Sequence, residues 1–151
     1  MNVGQLCQSN VVTVREFDEL PDAALLMREK HIGYLIVVEP GLEEGTFRPS
    51  GVLTDRDIVV SVVAKNANPQ SLTVGDIMTR QPVVVDAEDS LSDALREMRR
   101  IGVRRMPVVG PRGELVGVLS LDDVLYGVAG ELQNIAAAIR SEQVIESTLR
   151  P

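Results

Sequence analysis

The chain contains one cysteine, one histidine, no tryptophan, two phenylalanines and two tyrosines in 151 residues. A lone Cys7 excludes an internal disulfide and any Cys-x-x-Cys metal or redox site. One cysteine with one histidine also excludes zinc centres built from nitrogen and sulfur. A Cys7–His31 nucleophile pair finds no protease-like or transferase-like context elsewhere in the sequence. The aromatic residues Phe17, Tyr34, Phe47 and Tyr126 are too few to build a base-stacking platform. Basic charge is short as well, since 15 Lys and Arg against 22 Asp and Glu leave a net charge of −7. That balance opposes association with phosphate backbones, so nucleic acid is not an expected partner.

Long apolar runs are missing too. Tyr34–Val38 is far shorter than the roughly twenty residues a membrane span requires, and Met1–Asn10 lacks a basic stretch followed by an apolar one. The expectation is a cytoplasmic protein with no membrane partner. The chain contains neither Gly-x-Gly-x-x-Gly nor Gly-x-x-x-x-Gly-Lys-[Ser/Thr], so Rossmann-type and P-loop chemistry have no support. Asp55, Asp57, Asp122 and Asp123 do not follow calcium-loop spacing, and no dedicated metal site is readable.

What is present is a repeat. Shifting the chain by 71 residues lays Leu20–Val38 on Leu91–Val109 with seven of nineteen positions identical, where average residue usage gives about one. Farther on, Gly51-Val-Leu-Thr-Asp-Arg-Asp-Ile58 matches Gly117-Val-Leu-Ser-Leu-Asp-Asp-Val124 at an offset of 66. The difference of five lies between Glu39–Ser50 and the shorter Gly110–Val116, which points to a loop insertion.

Both halves carry the same periodicities. Val12–Val14 and Val83–Val85 read as short β-branched strands. Leu20, Ala23, Ala24 and Met27, and likewise Leu91, Ala94, Leu95 and Met98, fall at i, i+3, i+4 and i+7, the stripe of an amphipathic helix. Tyr34–Val38 and Arg105–Val109 follow as buried strands, then Gly51–Leu53 and Leu115–Leu119, then helices from Asp55 and Leu121. Asn66–Ser71 is a turn-rich linker, Thr73–Asp76 a capped short helix, and Glu131–Leu149 a tail helix. One copy of about sixty residues is marginal alone, whereas two bury their strand faces on each other. The expectation is an α/β (α+β) fold: two pseudo-symmetric β-α-β-β-α motifs packed through their sheets into one compact domain.

The strings His-Ile-Gly-Tyr-Leu-Ile-Val-Val (31–38) and Gly-Val-Arg-Arg-Met-Pro-Val-Val (102–109) are each followed by Gly-Val-Leu-[Thr/Ser]-x-x-Asp. In these features the chain resembles the tandem cystathionine-β-synthase (CBS) domain, or Bateman module, from about Ser9 to Glu131. The resemblance implies motifs at 9–66 and 78–131, a linker and short helix at 67–77, and a helical tail at 132–151. It also implies a stand-alone, non-catalytic regulatory homodimer with no catalytic cofactor. Its ligand would be an adenosine-containing small molecule, with AMP, ADP or ATP ahead of NAD and S-adenosylmethionine, and its target a separate, unnamed protein. The alternative is an interaction scaffold with vestigial pockets.

Thr54 with Asp57, and Ser120 with Asp123, place a hydroxyl and a carboxylate on one side of a helix start, where the carboxylate can accept from ribose hydroxyls. The same spacing is a capping box, and both readings stand at this point. By resemblance the adenine slot draws on Val11, Val12, Thr13, Ile32, Gly33, Tyr34 and Leu35, and on Gln81, Pro82, Val83, Val103, Met106 and Pro107. Arg56, Arg104, Arg105 and His31 are the phosphate candidates. Ile36 departs from the family pattern, which has proline there as at Pro107.

Overall fold

A computed structural model describes residues 1–150. The elements run α1 (Val3–Leu6), β1 (Thr13–Arg15), α2 (Leu20–Lys30), β2 (Tyr34–Pro40), β3 (Phe47–Thr54), α3 (Asp55–Ile58, continued by a wider π-helical turn Val59–Val63), α4 (Val74–Ile77), β4 (Thr79–Arg80), β5 (Val85–Asp86), α5 (Leu91–Ile101), β6 (Arg105–Val109), β7 (Leu115–Ser120) and α6 (Leu121–Leu149). One sheet has the order β1-β2-β3-β4 and the other β5-β6-β7. In both, a parallel pair (β1 with β2, β5 with β6) is followed by an antiparallel hairpin. Both hairpins carry a register shift at corresponding places, between Val37 and Val38 and between Val108 and Val109.

The expected strand–helix–strand–strand–helix order is therefore present twice, with shifts at element ends. The first strands lie later than the β-branched runs, at Thr13–Arg15 and Val85–Asp86, because pairing with β2 and β6 sets their length. The third strand of the first half extends back to Phe47, since the longer loop continues the hairpin. The tail is not a separate helix: Leu121–Leu149 is continuous, about 43 Å at 1.5 Å per residue. No described helix is long and apolar enough to cross a membrane.

Caps and breaks explain the helix limits. Ser90 Oγ accepts from the Asp93 backbone N–H at 3.1 Å to open α5, and Gly102 ends it in the left-handed region at φ 71°. At the matching end of α2 stands His31, a non-glycine residue at φ 56°. In the linker, Asn66 is left-handed and Pro69–Ser71 forms a 3₁₀ turn opened by the Asn68 side chain.

Each half has its own core. Leu20, Ala23, Leu35, Leu53 and Val62 form the first, and Val85, Ala94, Met106, Val108 and Leu119 the second. The short helices are exchanged: Val3 of α1 is fully buried in the second core, and Val74 of α4 in the first. Backbone bonds fix the exchange. Val3 N donates to Asp89 O at 3.1 Å and Gly4 N to Ala87 O at 2.8 Å, while Val74 N donates to Asp18 O at 2.9 Å and Gly75 N to Glu16 O at 2.8 Å.

The residues after each short helix then run along the opposite half's hairpin. Val52 pairs with Thr79 of β4, and in the same relation Val118 pairs with Gln8. Glycine is required at this crossing. A Cβ at Gly51 would lie 2.8 Å from Met78 Sδ and 2.9 Å from Thr79 O, and one at Gly117 would lie 2.7 Å from Cys7 Sγ and 2.8 Å from Gln8 O. The alternation of β2 and β6 leaves Ile36 and Pro107 on the sheet face opposite Leu35 and Met106, and both are fully buried.

Candidate functional site

A cleft of about 590 Å³ opens where the two halves meet and lies within the range of small-molecule sites. One wall is the start of β2 (Gly33, Tyr34), the end of β3 (Val52, Thr54) and the first turn of α3 (Asp55, Arg56, Asp57). Thr79, which pairs with Val52, and Gln81 continue this side, and the rest of the lining is Pro82 and Val83 with Ile101, Val103, Arg104, Arg105 and Pro107. The lining thus divides into apolar plates (Val52, Val83, Ile101, Val103, Pro107), two carboxylates and three guanidinium groups.

The capping box is formed at Thr54. Asp57 N donates to Thr54 Oγ1 at 3.1 Å, and Thr54 N donates to Asp57 Oδ2 at 2.8 Å. Among the described residues, Asp57 Oδ1 accepts no hydrogen bond and the Thr54 hydroxyl has no acceptor. Capping therefore leaves one carboxylate oxygen and one hydroxyl unengaged on two residues that line the cleft, and the two readings of this pair are compatible. Arg56, Arg104 and Arg105 supply positive charge around the same space; Arg104 Nη2 also lies 3.9 Å from Asp122 Oδ1. Burial pushes the Tyr34 phenol far above its ordinary pKa, with the Arg105 charge acting against that, so the ring stays neutral between the walls.

The sequence-derived positions separate into groups. Thr54, Asp57, Gly33, Tyr34, Gln81, Pro82, Val83, Val103, Pro107, Arg56, Arg104 and Arg105 all line the large cleft. Val11, Val12, Ile32 and His31 line a smaller one of about 230 Å³ with Asn10 and Val118, which Gly33, Tyr34 and Arg105 also border. Thr13 lies apart, in a groove with Phe47 and Leu115. Leu35 and Met106, also named for the slot, line neither cleft: their side chains lie in the cores of the first and second halves, because strand alternation turns them away from the seam. Ser120 and Asp123 line neither cleft. Val52, Thr79, Asp55 and Ile101 line the large cleft without having been singled out. The repeat offset aligns Thr79 with Gln8, a correspondence that becomes a site only once β4 pairs with β3.

Cys7 packs against the second core and its thiol is raised, first by burial and further by the Asp123 charge, against a lowering backbone hydrogen bond. It is thus the opposite of an activated thiolate. Among the described residues no group of three or more His, Cys, Asp or Glu is placed to hold a metal.

The family model described as CBS domain matches residues 3–64 and 74–130. The uncharacterized protein MK0525 of Methanopyrus kandleri is 30% identical over 125 residues, 83% of this chain and 61% of that protein. The chain spans the same 61% of a mitochondrial CBS-domain protein of Arabidopsis thaliana, so it covers about three fifths of these relatives. Hypoxic response protein 1 of Mycobacterium tuberculosis is 36% identical over 124 residues, 82% of this chain and 78% of that protein. Among solved structures, the CBS domain protein PAE2072 from Pyrobaculum aerophilum, complexed with AMP, superposes with a TM-score of 0.70 at 27% identity over 82% of this chain and 89% of that one. The hexameric CBS-CP12 protein from bloom-forming cyanobacteria gives 0.71 at 29% identity over 98% and 87%.

Proposed function

The chain belongs to the CBS domain family, and on that premise we propose that it is a non-catalytic regulatory module that takes an adenine nucleotide in the large cleft. The observation that carries this reading is the division of the cleft into three chemistries. The free Asp57 Oδ1 and Thr54 hydroxyl suit the ribose diol, since a carboxylate accepts two vicinal hydroxyls. Val52, Val83, Val103 and Pro107 suit a purine face, and Arg56, Arg104 and Arg105 suit phosphate. The AMP complex of PAE2072 supports trying AMP first, with ADP, ATP and other adenosyl compounds beside it.

The module acts as a homodimer and passes its ligand state to a separate protein. Val59, Val60 and Val63 on the turn after α3, with Leu125, Tyr126 and Leu132 on α6, are exposed apolar side chains on the corresponding helices of the two halves, and the hexameric assembly of CBS-CP12 supports a role in self-association. That apolar surface also favours the second reading, an interaction module whose clefts stay empty.

Calorimetric titration and thermal unfolding with AMP, ADP, ATP, NAD and S-adenosylmethionine, with GMP as control, decide between them. A ligand at a hundred times its Kd adds about 2.7 kcal/mol, or about 5–10 °C for a chain of this size. Asp57→Ala should weaken that ligand at least tenfold. An unmoved midpoint with every nucleotide at millimolar concentration overturns the sensor reading in favour of the scaffold.

A further inference from the structure

The repeat sets Ser120 and Asp123 where the first half has Thr54 and Asp57, and the residue that the hairpin crossing brings against each pair differs. Thr79 and Gln8 occupy equivalent places: each lies one residue after the glycine-contacting Met78 or Cys7 and pairs with Val52 or Val118. Thr79 is short and leaves Asp57 Oδ1 open. Gln8 is long enough to reach across, and its Nε2 donates to Asp123 Oδ1 at 3.0 Å. The other oxygen is also engaged, since Asp123 Oδ2 accepts from Ser120 Oγ at 2.7 Å and from Ser120 N at 3.1 Å. Both Asp123 oxygens thus have protein partners, whereas Asp57 keeps Oδ1 free.

Two further differences act in the same direction. The cleft on this side has about 230 Å³ against about 590 Å³, and neither Ser120 nor Asp123 borders it. Asp122 replaces Arg56, so a phosphate there would meet a carboxylate.

We propose that Gln8 is a built-in plug on the second ribose position, which makes each chain a one-nucleotide module that binds only beside Thr54 and Asp57. This rests on the adenine-nucleotide reading of the large cleft. Gln8 is exposed and its backbone bonds to Val118, 2.9 Å in each direction, do not depend on its side chain, so substitution there leaves the fold intact.

Titrating AMP into the intact chain, Gln8→Thr, Asp57→Ala, and Gln8→Thr combined with Asp57→Ala tests it, with Gln8→Ala as a second way of withdrawing the amide. The expected stoichiometries are one, two, zero and one per chain. Two sites in the unsubstituted chain, or AMP retained by Asp57→Ala alone, overturn the plug while leaving the nucleotide reading intact. A Gln8→Thr and a Gln8→Ala chain that both stay at one site also overturn it. Absence of AMP binding in every variant overturns the nucleotide reading and the plug with it.

Discussion

Val3→Ala is the perturbation that tests the exchanged architecture most directly, because residues 1–8 lie outside the repeated strings yet close the second core. Val3 is fully buried against Val85, Ala94 and Leu119, and α1 is held by two backbone bonds to Asp89 and Ala87. Removing two carbons forfeits about 1.6 kcal/mol at about 0.8 per buried CH₂. The space left, on the order of 45 Å³, adds about 1 kcal/mol at about 24 cal/mol per Å³ if the site does not collapse. The sum, about 2–3 kcal/mol, corresponds to a fall in Tm of about 5–10 °C at this chain length. Thermal and urea unfolding measure it, with the exposed Val144→Ala as control. The symmetric Val74→Ala, equally buried in the first core, should cost about the same. If Val3→Ala shifts the midpoint by no more than Val144→Ala does, α1 is not docked on the second half and the exchange described above is wrong.

Two further outcomes follow from single residues. His31→Gly should raise stability by about 0.5–1 kcal/mol, since it relieves a left-handed backbone at a helix end where the second half already uses Gly102, and a lowered Tm would refute the strain argument. Tyr34 supplies a pH dependence: its phenol is neutral in the folded chain to higher pH than in the unfolded one, so its contribution is present below the unfolded pKa of about 10 and is lost as pH rises beyond it. Tyr34→Phe should therefore flatten the alkaline decline of Tm above about pH 10, and identical alkaline profiles for the two chains would contradict the burial of that hydroxyl.

Much of the architecture is written in local pattern. The offsets of 71 and 66, the helical stripes at Leu20–Met27 and Leu91–Met98, the β-branched strands and the Thr54/Asp57 and Ser120/Asp123 caps are short-range features, each satisfied within a few residues of itself. The capping boxes form where the spacing places them, and most of the expected slot and phosphate positions of the first cleft do line one cavity. The side chains of Leu35 and Met106 lie in the cores, since a strand string names both faces at once and only packing decides which residues turn to the seam.

What tertiary structure alone decided is the exchange of Val3 and Val74 between cores and the inequality of the two clefts. Neither has a local signature. The pairing of Gln8 with Val118, and its amide contact with Asp123, join residues more than a hundred positions apart. In the linear repeat Gln8 and Thr79 are merely two unlike residues at matching places. Only when β4 and its counterpart run past Gly51 and Gly117 does side-chain length determine whether a carboxylate stays free. Local sequence thus makes two nearly equal halves, and the long-range crossing of their first segments makes them different.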